Sequence, residues 1–273
     1  MISASGKSYS CGGSLLSKDV VLTAAHCLYE EKIHAPYSAE KIHVSAGSKK
    51  NIFLNKNMRK AKSIHPHPDY KNEIFNYIHD IGIIVLSSPF NDRISKPIHI
   101  SKRDVEKQTK LIALGWGRTD PENLKGPTSF LQVELADDDS KICKNRIPKW
   151  VSDAQICLIV KENKDTCKGD SGGPLIYRHG NVNTLIGITS YGNGIEKNAP
   201  ICGSNGGVSV FVHSYNYLKW ISDITKISEE DLLTAQYDPS DAPSSAVSAS
   251  LIAGGCSALL LGCGCGCLVR LSI

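Results

Sequence analysis

Short apolar runs broken by glycine-rich or polar turns recur along most of this chain. Cys11-Gly12-Gly13-Ser14-Leu15-Leu16 and Val20-Val21-Leu22-Thr23-Ala24-Ala25 are separated by a polar turn, the pattern of two antiparallel strands. Residues 42–75 alternate strand-like patches with basic loops. Ile81-Gly82-Ile83-Ile84-Val85-Leu86 is apolar throughout and suits a buried strand. Further strands are predicted at 111–117 (around a core Trp116), at 185–192 and at 206–212. Residues 120–125 and Asp137-Asp138-Asp139 read as exposed loops, and Cys143 and Cys157 enclose a short polar segment containing Trp150. Only residues 214–225 show helical spacing, with Tyr217, Leu218, Ile221 and Ile224 on one face. Many short strands, glycine-rich turns and one terminal helix predict an all-β barrel class.

Composition narrows the picture. The 273 residues are 41% hydrophobic and 21% charged, ordinary for a soluble globular protein. A net charge of +4 is too small to argue for a nucleic-acid partner. Of the 10 cysteines, six are spread over residues 11–202 and four crowd between Cys256 and Cys267. None of the first six forms a close C-x-x-C pair, so an extracellular disulfide framework is a better reading than zinc. The basic residues Lys49, Lys50, Lys56, Arg59, Lys60 and Lys62 read as a solvated face, with an anion-binding exosite as the sharper alternative.

Three stretches carry candidate chemistry. In Asp165-Thr166-Cys167-Lys168-Gly169-Asp170-Ser171-Gly172-Gly173-Pro174, glycines let the backbone approach a substrate closely. The amides of Gly169 and Ser171 could then point at one spot, as an oxyanion hole requires. Alone, such a loop is more often a plain turn. His26 lies between Ala25 and Cys27, where a buried histidine beside a disulfide is the plain reading. Asp80 stands at the lip of an apolar strand, either solvated there or hydrogen-bonded to an imidazole.

Taken together, the ordered motifs C-G-G-S-L-L, T-A-A-H-C, D-I-G-I-I-V-L, G-W-G, D-T-C-K-G-D-S-G-G-P, S-Y-G-N-G and Y-L-K-W-I resemble a trypsin-like (chymotrypsin-fold) serine protease over roughly residues 8–225. The resemblance implies two six-stranded antiparallel β-barrels with a C-terminal helix and the site between them. It implies a catalytic triad of His26, Asp80 and Ser171, in the order His…Asp…Ser. Gly169 and Ser171 would supply the oxyanion hole. Asp165, six residues before the serine, would form the base of the specificity pocket and favour Lys or Arg. Ser190, Gly192 and Gly207 would complete that pocket, with Tyr191 where the family usually has Trp.

The same resemblance pairs Cys11–Cys27, Cys143–Cys157 and Cys167–Cys202. A further bridge of many relatives would join positions 111 and 177, which are Leu and Tyr here. The loop that binds calcium in trypsin begins here as Ser48-Lys49-Lys50-Asn51 and is nearly free of acids, so neither a metal nor a cofactor is expected. Partners implied are protein or peptide substrates and protein protease inhibitors, with the chain a monomer outside the cell.

Two departures qualify this. Residues 1–10 are polar and show no signal peptide. The chain begins too late to carry the freed Ile or Val amine that would pair with Asp170 on activation. The reading is therefore of an incomplete first barrel lacking its N-terminal strand, with Asp170 swung away and a zymogen-like state. The protease domain is set at 1–226 and an acidic, then Ser/Ala/Pro-rich linker at 227–246. The uncharged tail at 247–273 is read as a membrane anchor or glycolipid-anchor signal. The favoured function is an endopeptidase cutting after Lys or Arg; the rival is a non-catalytic protease homologue acting as a binding module.

Overall fold

The computed structural model describes residues 10–30, 33–49, 57–73, 76–91, 96–102, 110–119, 126–136, 140–147, 151, 153–194, 202–233 and 268–272. The expected loops 120–125 and 137–139, and Trp150, lie outside the described residues.

The two opening apolar runs become β1 (Ser10–Leu15) and β2 (Val20–Thr23), paired antiparallel with Ser14 opposite Leu22. They are followed by β3 (His43–Ala46), β4 (Met58–Pro66) and β5 (Gly82–Leu86). β5 is the continuously apolar run, and it lies between β2 and β4 with Ile83 and Ile84 fully buried. A strand covered on both edges and packed on the core has no use for polar alternation.

The second unit contains β6 (Lys110–Gly115), β7 (Leu131–Ala136), β8 (Gln155–Ile159), β9 (Pro174–His179), β10 (Val182–Asn193) and β11 (Val208–His213). These form a six-stranded sheet in the order β7-β6-β9-β10-β11-β8. Leu111 and Tyr177 are partners in the β6–β9 pair, so the two positions that lack a cysteine are neighbours in space. A short helix α1 (Ser140–Arg146) precedes β8. The predicted 214–225 helix divides into a 3-10 turn at Ser214–Tyr217 and α2 (Leu218–Thr225), which ends at Lys226 in the left-handed conformation. A single turn α3 (Glu229–Leu232) follows, capped by Ser228, whose hydroxyl accepts from the Asp231 amide at 3.1 Å.

The first unit is a closed barrel, in the order β1-β12-β3-β4-β5-β2, where β12 is Leu268–Ser272. The position expected to lack a strand is therefore filled from the other end of the chain. β12 pairs on both edges, with Ser14 opposite Leu268 on one side and Val269 opposite Ala46 on the other. Residues 247–267 lie outside the described residues.

Each unit has its own apolar cluster. Leu15, Leu22, Val44 and Ile83 centre the first; Leu111, Leu135, Leu158 and Phe211 centre the second. The first cluster extends to Ile188, Val212, Leu218 and Ile221, so β10, β11 and α2 pack against the barrel.

Candidate active site

His26 is placed by a tight turn. β2 ends at Thr23, and a 3-10 turn over Ala25–Leu28 carries the imidazole outward while Ala24 and Ala25 are fully buried. Cys27 binds Cys11 of β1, tying the turn to the barrel wall.

Asp80, immediately before β5, is fully buried. Its preceding residue His79 adopts φ +54°, which turns the chain sharply into the strand. A buried carboxylate needs donors, and this one has three. Oδ1 accepts from the His26 amide at 2.8 Å; Oδ2 accepts from His26 Nδ1 at 2.8 Å and from the Ser190 hydroxyl. Burial alone would push the Asp80 carboxyl up, but the charge of His26 and the hydrogen bonds from His26 and Ser190 outweigh it and hold it below the usual range. Because an ionised carboxylate only accepts, Nδ1 is the protonated nitrogen, and Nε2 is left as the basic one in the neutral ring. Tyr77 stacks on the imidazole, with centroids 5.6 Å apart, and meets Tyr191 edge-on at 5.4 Å.

Ser171 lies on a loop locked between the two units. Its carbonyl accepts from the Gly12 amide of β1 at 2.7 Å, the Gly172 amide donates to Thr189 at 2.7 Å, and Thr23 Oγ1 donates to the Gly12 carbonyl at 2.9 Å. Gly172 has φ +74°, and a Cβ on it would fall 2.2 Å from Thr23 Oγ1, so no other residue fits. A Cβ on Gly12 would fall 2.6 Å from Gly173 Cα. The C-G-G and S-G-G motifs are thus two halves of one close backbone contact. Around the serine, Asp170 N donates to Cys167 O and Gly173 N to Asp170 O. Among the described residues, the amides of Gly169 and Ser171 have no protein acceptor, as a site for a developing oxyanion requires. Ser171 Oγ likewise makes no hydrogen bond there, to His26 or to any other group. Such contacts often tighten only around substrate.

Asp165 is half-buried. Its Oδ1 accepts from the Thr166 amide at 2.7 Å and from the Ser209 hydroxyl, and its Oδ2 from the Gly203 amide at 2.8 Å. Burial pushes this carboxyl above the usual range, and the bonds from Ser209, Gly203 and Thr166 oppose that without cancelling it. Gly192 lies on β10, and its partner on β11 is Ser209. Gly207 lies immediately before β11, and a Cβ there would meet the Asn193 and Ser204 carbonyls at 2.9 Å. Ser190 falls in the register shift between Thr189 and Tyr191, and its hydroxyl donates to Asp80.

Asp170 is turned inward, accepting from the Gly117 amide at 2.7 Å and the Cys167 amide at 3.0 Å, not swung away as the sequence reading has it. It lines a cavity of about 250 Å³ with Gly115, Gly117, Asp165, Cys167 and Cys202. The disulfides Cys143–Cys157 and Cys167–Cys202 complete the three pairs. Among the described residues, the one trio with metal-type ligand atoms close together is Cys11, His26 and Cys27. Its sulfurs are bonded to each other, so it offers no thiolate to a metal.

Sequence reasoning missed Tyr77 and Ser209. Tyr77 carries no motif. Ser209 could have been found by counting back without gaps from the Y-L-K-W-I helix, since β11 is continuous over Val208–Val212 and the irregularity lies on β10.

Comparison with known proteins gives a consistent picture. A family profile described as Trypsin matches residues 1–221. Trypsin-4 of Rattus norvegicus is 31% identical over 221 residues, covering 80% of this chain and 81% of that protein. Trypsin of Sus scrofa is 30% identical over 226 residues, covering 81% and 87%. The phenoloxidase-activating enzyme of Bombyx mori is 34% identical over 246 residues, covering 78% of this chain and 53% of that protein.

Proposed function

The chain belongs to the trypsin family of serine proteases, and from that premise we propose that it is an endopeptidase cleaving after Lys or Arg through an acyl-enzyme on Ser171. The observation that carries the mechanism is the buried Asp80 carboxylate on His26 Nδ1, which leaves Nε2 as the base. Ser171 Oγ attacks the scissile carbonyl carbon and its proton passes to Nε2. The oxyanion is held by the amides of Gly169 and Ser171. Collapse breaks the C–N bond, and Nε2 returns the proton to the leaving amine. Water then repeats the sequence on the ester, releasing the acid and restoring Ser171. Asp170 and the cavity beside it would receive the amine freed on activation. The three disulfides suit an oxidising, extracellular setting, with protein substrates and protein inhibitors as partners. An organophosphonate carrying a Lys or Arg side chain is expected to label Ser171 and block hydrolysis of Lys and Arg amides. Absence of both would favour the second reading, a zymogen-like binding homologue, which draws on the lack of a Ser171–His26 hydrogen bond among the described residues.

Asp165 should set the substrate's side chain. Asp165→Asn is expected to lower kcat/KM on Lys and Arg substrates by about 10³-fold, the cost of a buried cation without its partner. In the parent enzyme the ionised form is needed, and burial raises the pKa of Asp165. Its ionisation therefore costs folding free energy at neutral pH, a cost relieved as pH falls through the raised pKa. Over the same range kcat/KM should fall, above the pH of an ordinary carboxylate. Its acid limb should contain an Asp165 step that Asp165→Asn removes; an identical limb in both proteins contradicts the assignment.

Ser209 occupies one lone pair of Asp165 Oδ1 and the wall facing Gly192. A guanidinium fork needs both carboxylate oxygens, whereas an ammonium acts as a point charge. Ser209→Gly is expected to raise the Arg-to-Lys ratio of kcat/KM by about tenfold, the value of one hydrogen bond to a charged group. It should also move the Asp165 step further up in pH, because the Ser209 bond holds that pKa down. Matched assays on Arg and Lys amides across pH would check both.

A further inference from the structure

We propose that the slot between β1 and β3 is a strand-binding site, that its occupant is the chain's own Leu268–Ser272, and that this strand orders the face of the barrel on which the nucleophile loop rests. β12 is not an edge. Its backbone pairs with β1 over Ser10↔Ser272, Cys11↔Leu271, Gly12↔Arg270, Gly13↔Val269 and Ser14↔Leu268, and with β3 over Val269↔Ala46 to Ser272↔His43. Residues 234–267 separate it from α3, so its place in the barrel rests on the sheet and not on a tight turn to a neighbour.

Without β12, two strand edges would lose their partners together. The residues on those edges are interior ones: Cys11 to Leu15 of β1 and Val44 to Ala46 of β3 are buried. Buried amides and carbonyls without partners are costly, and open strand edges recruit replacements. The ligand class is therefore an extended peptide that adds as an antiparallel strand on both sides, held chiefly by its backbone.

β1 is also the strand through which the two halves of the site touch. Its Gly12 amide holds the Ser171 carbonyl, its Gly12 carbonyl receives Thr23 Oγ1, and its Cys11 is bonded to Cys27 beside His26. Arg270 is the β12 residue paired with Gly12. Loss of β12 would thus loosen the support of both the nucleophile loop and the imidazole turn, while the second sheet, which has no contact with β12 in its pairing, would keep its order.

The test is hydrogen exchange on the full chain, which needs no assay of catalysis and so fails or succeeds independently of the proposed protease activity. In the parent protein, amides of 268–272 should exchange at least about 10³-fold more slowly than in the free peptide, and in step with those of β1 and β3, as one cooperative unit. Arg270→Pro removes a ladder donor from a strand bonded on both edges. It should speed exchange in β1 and β3 by at least about tenfold and leave β6 to β11 unchanged. Adding a synthetic peptide of residues 268–273 to that variant should restore protection, and the same peptide N-methylated on its backbone should not. If 268–272 exchange like free peptide in the parent, the proposal is wrong, even should the proline variant fail to fold. Unchanged β1 and β3 in a folded Arg270→Pro, or equal rescue by the N-methylated peptide, would overturn it too.

Discussion

Ser171→Ala is expected to lower kcat on a Lys or Arg amide by on the order of 10⁶-fold, with KM little changed. Among the described residues the Ser171 hydroxyl makes no hydrogen bond, and the loop is held by backbone bonds from Gly12, Gly172 and Gly173 that the substitution leaves in place. The variant should therefore match the parent in thermal stability to within about 0.5 kcal/mol, so the loss reads chemistry and not unfolding. Binding should survive, because the Asp165 pocket is untouched. Steady-state kinetics beside a thermal melt checks this; residual turnover within a hundredfold of the parent would remove Ser171 from the reaction.

Asp80→Asn should cost about 10⁴-fold in kcat, and by a different route. The asparagine amide has nearly the same shape, but where Oδ2 now accepts, an NH₂ would face His26 Nδ1. Two donors cannot share that contact, so the imidazole takes the other tautomer, with its proton on Nε2 and no lone pair for Ser171. The pH dependence of stability gives a second readout. Asp80 is held below the usual carboxylate range when folded, so its ionised form adds stability above the unfolded pKa, and that contribution is lost as pH falls through the folded pKa. Denaturation profiles of the parent should show this acid loss, and those of Asp80→Asn should lack that part. A variant with the full acid dependence would mean that Asp80 is not the group responsible.

The parts of the site that were legible in the sequence are those where chemistry and backbone constraint coincide locally. Gly172 and Gly12 leave no space for a side chain, so the motifs around Ser171 and β1 have almost no freedom to vary, and the small residues before His26 are the fully buried Ala24 and Ala25. What escaped depends on register. Ser190 points to Asp80 because β10 shifts register between Thr189 and Tyr191, and an irregularity of one residue leaves no trace in a pattern of period two. Ser209 carries no motif of its own, and its place opposite Gly192 is set by pairing across the sheet. β12 was the least legible of all. Leu268–Ser272 looks like the end of an apolar tail, and its partners at 10–14 and 43–46 are distant in sequence, beyond the reach of any local signal.

That separation has a consequence for how the protein is made. Ser10 and Ser272 must meet for the first barrel to close, and a ribosome synthesises the second of them only after the whole second sheet. Domains in general fold as they emerge, amino-terminal first, and distant pairings form late because the entropy of bringing the ends together is lost before any contact compensates. Here the order is inverted: β6 to β11 and α2 are complete while the earlier-made half still waits for its last strand. The half that emerges first is thus the one finished last, and until then its two open edges are free to pair with another chain.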